Sequence, residues 1–106
     1  MAVTLATDAD FQSYIGSNER VIVKYFAGWC GSCKLFSPKF RRMSEEEKNK
    51  NILFLDIDAE NNPEARKTAG VSNLPFFATF VNGDILKADF TAKEETVEKM
   101  IEEIRV

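Results

Sequence analysis

Two short runs limit the fold most, because they are apolar on nearly every consecutive residue: Val21-Ile22-Val23-Lys24-Tyr25-Phe26 and Ile52-Leu53-Phe54-Leu55-Asp56-Ile57-Asp58. Runs of this length, rich in β-branched and aromatic residues and without alternation, are strands covered on both faces. Such a sheet needs helices above and below it. Each run carries one intruding charge, Lys24 in the first and Asp56 in the second. A charge there is costly unless it is paired, reaches water or is neutralised.

The rest of the chain supplies those helices. Residues 3–6 form a short β-type segment, after which Thr7 can cap a helix whose apolar face is Phe11, Tyr14 and Ile15, ended by Gly16-Ser17-Asn18. Cys33, Phe36, Phe40 and Met43 fall on one face of a second helix, with Lys34, Lys39, Arg41 and Arg42 mostly off it and Pro38 inside it, where a kink is expected. Residues 45–50 read as a solvated charged stretch. Asn62-Pro63 opens a short helix that Gly70 closes. Leu74-Pro75 precedes a strand at 76–81, which Asn82-Gly83 joins to another at 85–90 as a hairpin. Thr91-Ala92-Lys93-Glu94 has the spacing of a capping box for a last helix with Val97, Met100, Ile101 and Ile104 inward. The order βαβαβαββα calls for one mixed sheet sandwiched by helices, and no linker or repeat divides residues 1–106. Phe11, Phe36, Phe40, Phe54, Phe80 and Phe90 are expected in the core.

Composition removes several function classes. With 14 Lys and Arg against 17 Asp and Glu, intermixed, the net charge is -3, which argues against a nucleic-acid binder. The chain has no histidine, which excludes Ser/His/Asp and Cys/His catalysis. No run approaches membrane-spanning length, and Met1-Ala2-Val3-Thr4-Leu5 lacks the features of an export signal, so a soluble, cytoplasmic protein is expected. No G-x-G-x-x-G fingerprint is present for a nicotinamide or flavin.

The only cysteines, Cys30 and Cys33, stand three residues apart, just beyond the first apolar run and at the start of the second helix. Ligands on such sheets sit beyond the carboxyl ends of the strands. A pair at i and i+3 can close a small disulfide there. The free N–H groups of the helix's first turn, with its macrodipole, stabilise a thiolate on the first cysteine. Helical periodicity puts Cys33 on the buried side and Cys30 at the exposed end. Without a second pair or a histidine, one chain cannot supply a four-ligand N/S zinc site, so no metal is expected. A dimer pooling two cysteine pairs around a metal or iron–sulfur cluster is the open alternative.

Trp29-Cys30-Gly31-Ser32-Cys33-Lys34 resembles the WCGPCK signature of the thioredoxin family, Leu74-Pro75 resembles its cis-proline, and Asn82-Gly83 matches its hairpin. The resemblance spans essentially the whole chain. It implies an α/β thioredoxin fold, a central mixed five-stranded sheet sandwiched by four helices. It also implies a monomeric thiol–disulfide oxidoreductase that reduces protein disulfides, with Cys30 the exposed nucleophile, Cys33 the resolving thiol and the Cys30–Cys33 disulfide in place of any cofactor. Its electrons would come from a partner resembling a thioredoxin reductase. The substrate groove would be formed by Gly28, Trp29, Gly31, Ser32, Asn73, Leu74, a cis Pro75, Phe76 and Ala92, with the backbone of Leu74 pairing an extended peptide. A disulfide isomerase or oxidant, and a non-catalytic binding module on the same fold, are the alternative functions.

Departures from the family pattern concentrate near Cys33. Ser32 stands where proline is commonest, so a fixed φ is lost and an N–H gained. The expected consequence is a less reducing protein than a proline-bearing relative. Lys24 matches the position of the family's buried Asp, and Asp56 the position where some members carry a partnering Lys. The apparent swap implies that Lys24 favours a Cys33 thiolate while Asp56 accepts its proton, although a purely structural ion pair has the same residues. Phe76 replaces a smaller residue and Thr91 a common glycine, which predicts a narrower, more apolar groove. Whether Phe76 or Phe77 faces inward is left open by alternation.

Overall fold

The two apolar runs lie side by side as parallel strands of a five-stranded sheet in the computed structural model, which describes residues 3–105. Met1 and Ala2, part of the stretch read for an export signal, lie outside the described residues. The elements are β1 (Thr4–Ala6), α1 (Phe11–Ser17), β2 (Arg20–Phe26), α2 (Gly31–Glu45), β3 (Leu53–Asp58), α3 (Pro63–Ala69), β4 (Phe76–Val81), β5 (Asp84–Phe90) and α4 (Glu94–Ile104), with a 3₁₀ turn at Glu47–Asn49. The strand order is β1-β3-β2-β4-β5, with β1, β3 and β2 parallel and β4 and β5 antiparallel to their neighbours. This is the thioredoxin fold, with β2 in the middle of the sheet. Among the described residues no helix is long and apolar enough to cross a membrane.

Strand alternation sorts the core into two layers. Val21, Val23, Tyr25, Leu55, Ile57, Phe76, Ala78 and Phe80 face α1 and α3, packing with Phe11, Ile15, Ala65 and Ala69. Ile22, Phe54 and Phe77 face α2 and α4, packing with Phe36, Phe40, Met43, Val97, Met100, Ile101 and Ile104. The Phe76 and Phe77 question thus has a double answer: both rings are buried, on opposite faces. Pro38 does not terminate α2, which runs from Gly31 to Glu45. At the hairpin, Asn82 and Gly83 both have positive φ, 53° and 86°, the conformation that favours Asn-Gly between antiparallel strands.

Three local expectations are corrected. Phe90 is 52 % exposed, because β5 is an edge strand whose residues are all solvent-exposed. The Thr91–Glu94 capping box does not form. Instead, the Thr91 hydroxyl accepts from the Lys93 N–H at 3.0 Å, its backbone N–H is held by the Pro75 carbonyl at 3.3 Å, and Glu94 pairs with Arg42 of α2. The cap of α4 is Lys93, without a side-chain hydrogen bond. Thr7 does not cap α1: its N–H donates to Asp10 Oδ1 at 2.7 Å and its hydroxyl accepts from the Ala9 N–H at 3.3 Å, around a turn preceding α1, which starts at Phe11. Asp8 from that turn caps α3 instead, accepting from the N–H groups of Glu64 and Ala65 at 3.1 and 2.8 Å.

The layers predict which aromatic residues carry stability. Phe77, fully buried against Phe36 and Phe40 with ring centroids 5.0 and 5.6 Å away, should cost about 3–5 kcal/mol on replacement by Ala. Phe90→Ala should change stability by less than about 0.5 kcal/mol. Urea unfolding of both variants measures this, and equal losses would contradict the layering.

Candidate active site

The central strand β2 ends at Phe26, and four residues later the chain turns into α2 with Cys30 as its N-cap. Cys30 has extended backbone angles, and its Sγ accepts the Cys33 N–H at 3.1 Å, one of the N–H groups that a helix start leaves without an intrahelical partner. The Lys34 N–H bonds the Cys30 carbonyl at 3.2 Å and so closes the first turn. Cys30 and Cys33 are joined by a disulfide, their Cα atoms 5.3 Å apart. Cys30 is only 4 % exposed and Cys33 1 %. The expected exposed end for Cys30 is therefore corrected for this oxidised form, in which the two cysteines cluster with Ala27 and the partly buried Phe26 and Leu74.

Around the disulfide, Trp29 is 69 % exposed, with its indole N–H bonded to Glu60 Oε2 at 2.6 Å. Leu74-Pro75 is a cis peptide bond. Leu74 touches the cysteine cluster while Asn73 is exposed in the loop before it. A Cβ at Gly28 or Gly31 would meet nothing within 4 Å, so both leave bare backbone beside Cys30. Ser32 and Ala92 line a small hollow of about 160 Å³ with Leu35, Phe36 and Lys39. Phe76 does not line that hollow: its ring packs against Tyr25 on the far face, centroids 6.2 Å apart, so its bulk fills the core and not a groove.

Beneath Cys33 lies a cavity of about 170 Å³ lined by Lys24, Phe26, Ala27, Gly28, Cys33, Lys34, Ser37 and Asp56. Lys24 and Asp56 are register partners on adjacent parallel strands, so alternation sends both side chains to the α2 face. Lys24 is 1 % exposed, its Nζ 3.4 Å from Asp56 Oδ1 and 2.7 Å from Ser37 Oγ, near the rings of Phe26 and Phe40. Burial lowers the Lys24 pKa, partly opposed by Asp56; Arg41 adds a smaller lowering. Burial likewise raises the Asp56 pKa, opposed by Lys24 and less by Arg41. The buried Asp56 Oδ1 has the Lys24 ammonium at 3.4 Å, a long contact, and no closer hydrogen-bond partner among the described residues. The arrangement places a cation and a carboxyl group of heightened proton affinity in one cavity with a sulfur.

Ser37 and Glu60 belong to this neighbourhood and were missed in the sequence. Ser37 had a signal, four residues beyond Cys33 on the same helix, whereas Glu60 is an exposed loop residue with none. Among the described residues no group of three or more His, Cys, Asp or Glu side chains could hold a metal.

Comparison with known proteins agrees with this geometry. The thioredoxin family model matches residues 2–105. Thioredoxin 1 of Plasmodium falciparum is 28% identical, the match covering 96% of each chain. Protein disulfide-isomerase of Saccharomyces cerevisiae is 35% identical over 83 residues, 78% of this chain but 16% of that protein. A solved structure of Plasmodium falciparum thioredoxin superposes with a TM-score of 0.87 at 29% identity, covering 95% of this chain and 98% of that one.

The ion pair can be tested directly. Lys24→Met strands a largely buried carboxylate, which should cost about 2–4 kcal/mol at neutral pH. It should also push the Asp56 titration, followed by carboxyl NMR, further upward, since Lys24 lowers it. Folded Asp56 then binds its proton more readily than unfolded Asp56, so the deficit shrinks as pH falls through the folded-state titration toward 3.8. Adding Asp56→Asn should recover roughly half of the loss; a double variant as unstable as the single one would contradict the pairing.

Proposed function

The chain belongs to the thioredoxin family and is a thiol–disulfide oxidoreductase; from that premise we propose that it reduces protein disulfides in two steps, with Cys30 the nucleophile and Cys33 the resolving thiol. The observation that carries this assignment is Cys30 at the N-cap of α2, its sulfur facing the Cys33 N–H. In the reduced protein, the Cys30 thiolate attacks one sulfur of a substrate disulfide. A Cys30–substrate disulfide forms, and the other substrate sulfur leaves as a thiolate that takes up a proton. Cys33 then loses its proton and attacks Cys30 Sγ. The Cys30–Cys33 disulfide forms, the second substrate sulfur leaves and is protonated, and two electrons have passed to the substrate. A partner reductase restores the dithiol.

Lys24 and Asp56 fit the second step. The Lys24 charge favours the Cys33 thiolate, and Asp56, whose proton affinity burial has raised, accepts the proton across the shared cavity. Bare backbone at Gly28 and Gly31, the exposed Trp29 indole and the backbone of Leu74 beside cis Pro75 would receive an extended peptide. Ser32 favours a second reading, a less reducing protein of the isomerase type.

Reduction of insulin by the protein with dithiothreitol or a reductase should vanish in Cys30→Ser, while Cys33→Ser should accumulate a Cys30–substrate mixed disulfide. Accumulation on Cys33 instead would reverse the assignment. Equilibration with glutathione separates the two readings, since thioredoxin-type reductants lie near about -270 mV and disulfide isomerases near about -180 mV. Ser32→Pro should make the potential more negative by roughly 30 mV, a tenfold change in the equilibrium constant. Equal potentials would remove Ser32 as a determinant.

A further inference from the structure

Lys24 is closer to Ser37 than to Asp56, at 2.7 against 3.4 Å. The directions of the hydrogen bonds are dictated by chemistry. An ammonium can only donate, so the Ser37 hydroxyl accepts from Lys24; its single proton then goes to the Cys33 carbonyl, 3.1 Å away, which can only accept. The buried cation is thereby connected through one side chain to the backbone of the resolving cysteine, one helical turn back along α2. Without that hydroxyl, the polar contact remaining to Lys24 among the described residues would be the longer one to Asp56.

We propose that Ser37 is a positioning residue for the second half of the exchange, holding the Lys24 ammonium on the Cys33 side of the cavity so that its charge acts on the resolving sulfur. This rests on the role assigned to Lys24 above. The titratable and charged groups around the cavity are Lys24 on β2, Asp56 on β3, and Cys33 and Lys34 on α2. Arg41, also on α2, acts on Lys24 and Asp56 through its field, and Cys30 stands at the helix start. Among the described residues Ser37 alone bridges the cation to the Cys33 turn. Losing a hydrogen bond to a buried cation weakens its hold there, and Asp56 becomes the nearer competitor for the charge.

The experiment uses the full chain with Cys30→Ser as background, so that Cys33 is the single thiol, and follows thiolate absorbance against pH. Adding Ser37→Ala should move the titration midpoint of Cys33 upward by roughly half a unit to one unit, whereas Ser37→Thr, which keeps the hydroxyl, should leave it in place. An unchanged midpoint in Ser37→Ala, or an equal rise in Ser37→Thr, overturns the proposal. Lys24→Met in the same background separates the two levels. If it raises the midpoint while Ser37→Ala does not, Lys24 keeps its role and Ser37 loses its own. If neither does, both assignments fall. Near-UV circular dichroism establishes that each variant is folded. Should Lys24→Met be unfolded, Lys24→Gln replaces it.

Discussion

The structure depends on one junction, where the central strand ends and α2 begins with a cysteine as its cap. A helix start leaves N–H groups without partners, and here one of them points at a sulfur. The same few residues close the disulfide, start the helix and bring the pair to the carboxyl end of β2, where the parallel strands open toward solvent. Because β2 is paired on both sides, by β3 and β4, and covered on both faces, the junction is held by the most constrained part of the fold. Reactivity is thus set on a rigid support.

The charges beneath the junction follow from the same framework. Parallel pairing of β2 with β3 puts Lys24 opposite Asp56, and the pleat turns both toward α2. Placing an ammonium so deep is unfavourable in itself, and the fold offsets this with a carboxylate, a hydroxyl and two aromatic rings. Both groups keep perturbed proton affinities as a result. Two such groups share the cavity with Cys33, as the proposed role in the second step requires.

Much of this was legible in the chain. Nearly continuous apolar runs marked the central strands, Asn82-Gly83 the hairpin, and the spacing Cys33, Phe36, Phe40, Met43 the buried face of α2. The intruding Lys24 and Asp56 were visible as charges of opposite sign that the family resemblance already paired, and the register of β2 and β3 sets them opposite each other. What could not be read depended on tertiary competition. Thr91 has the spacing of a cap, yet the Pro75 carbonyl and the Lys93 N–H claim it first. Phe90 looks like a core residue until β5 proves to be an edge. Helical periodicity placed Cys30 outward, but it could not foresee that the closed disulfide is covered by Ala27, Phe26 and Leu74. Ser37 stands one turn beyond Cys33, but its partner Lys24 comes from β2, which spacing along the helix does not show.

In the proposed mechanism, the helix start makes Cys30 the reactive thiol of the pair. The most direct measurement is the alkylation rate of the reduced protein by iodoacetamide as a function of pH, with the modified residue identified by mass spectrometry. Modification is expected first at Cys30, with a midpoint below the ordinary thiol value of about 8.5. A midpoint at or above that value, or equal modification of Cys33, would contradict it.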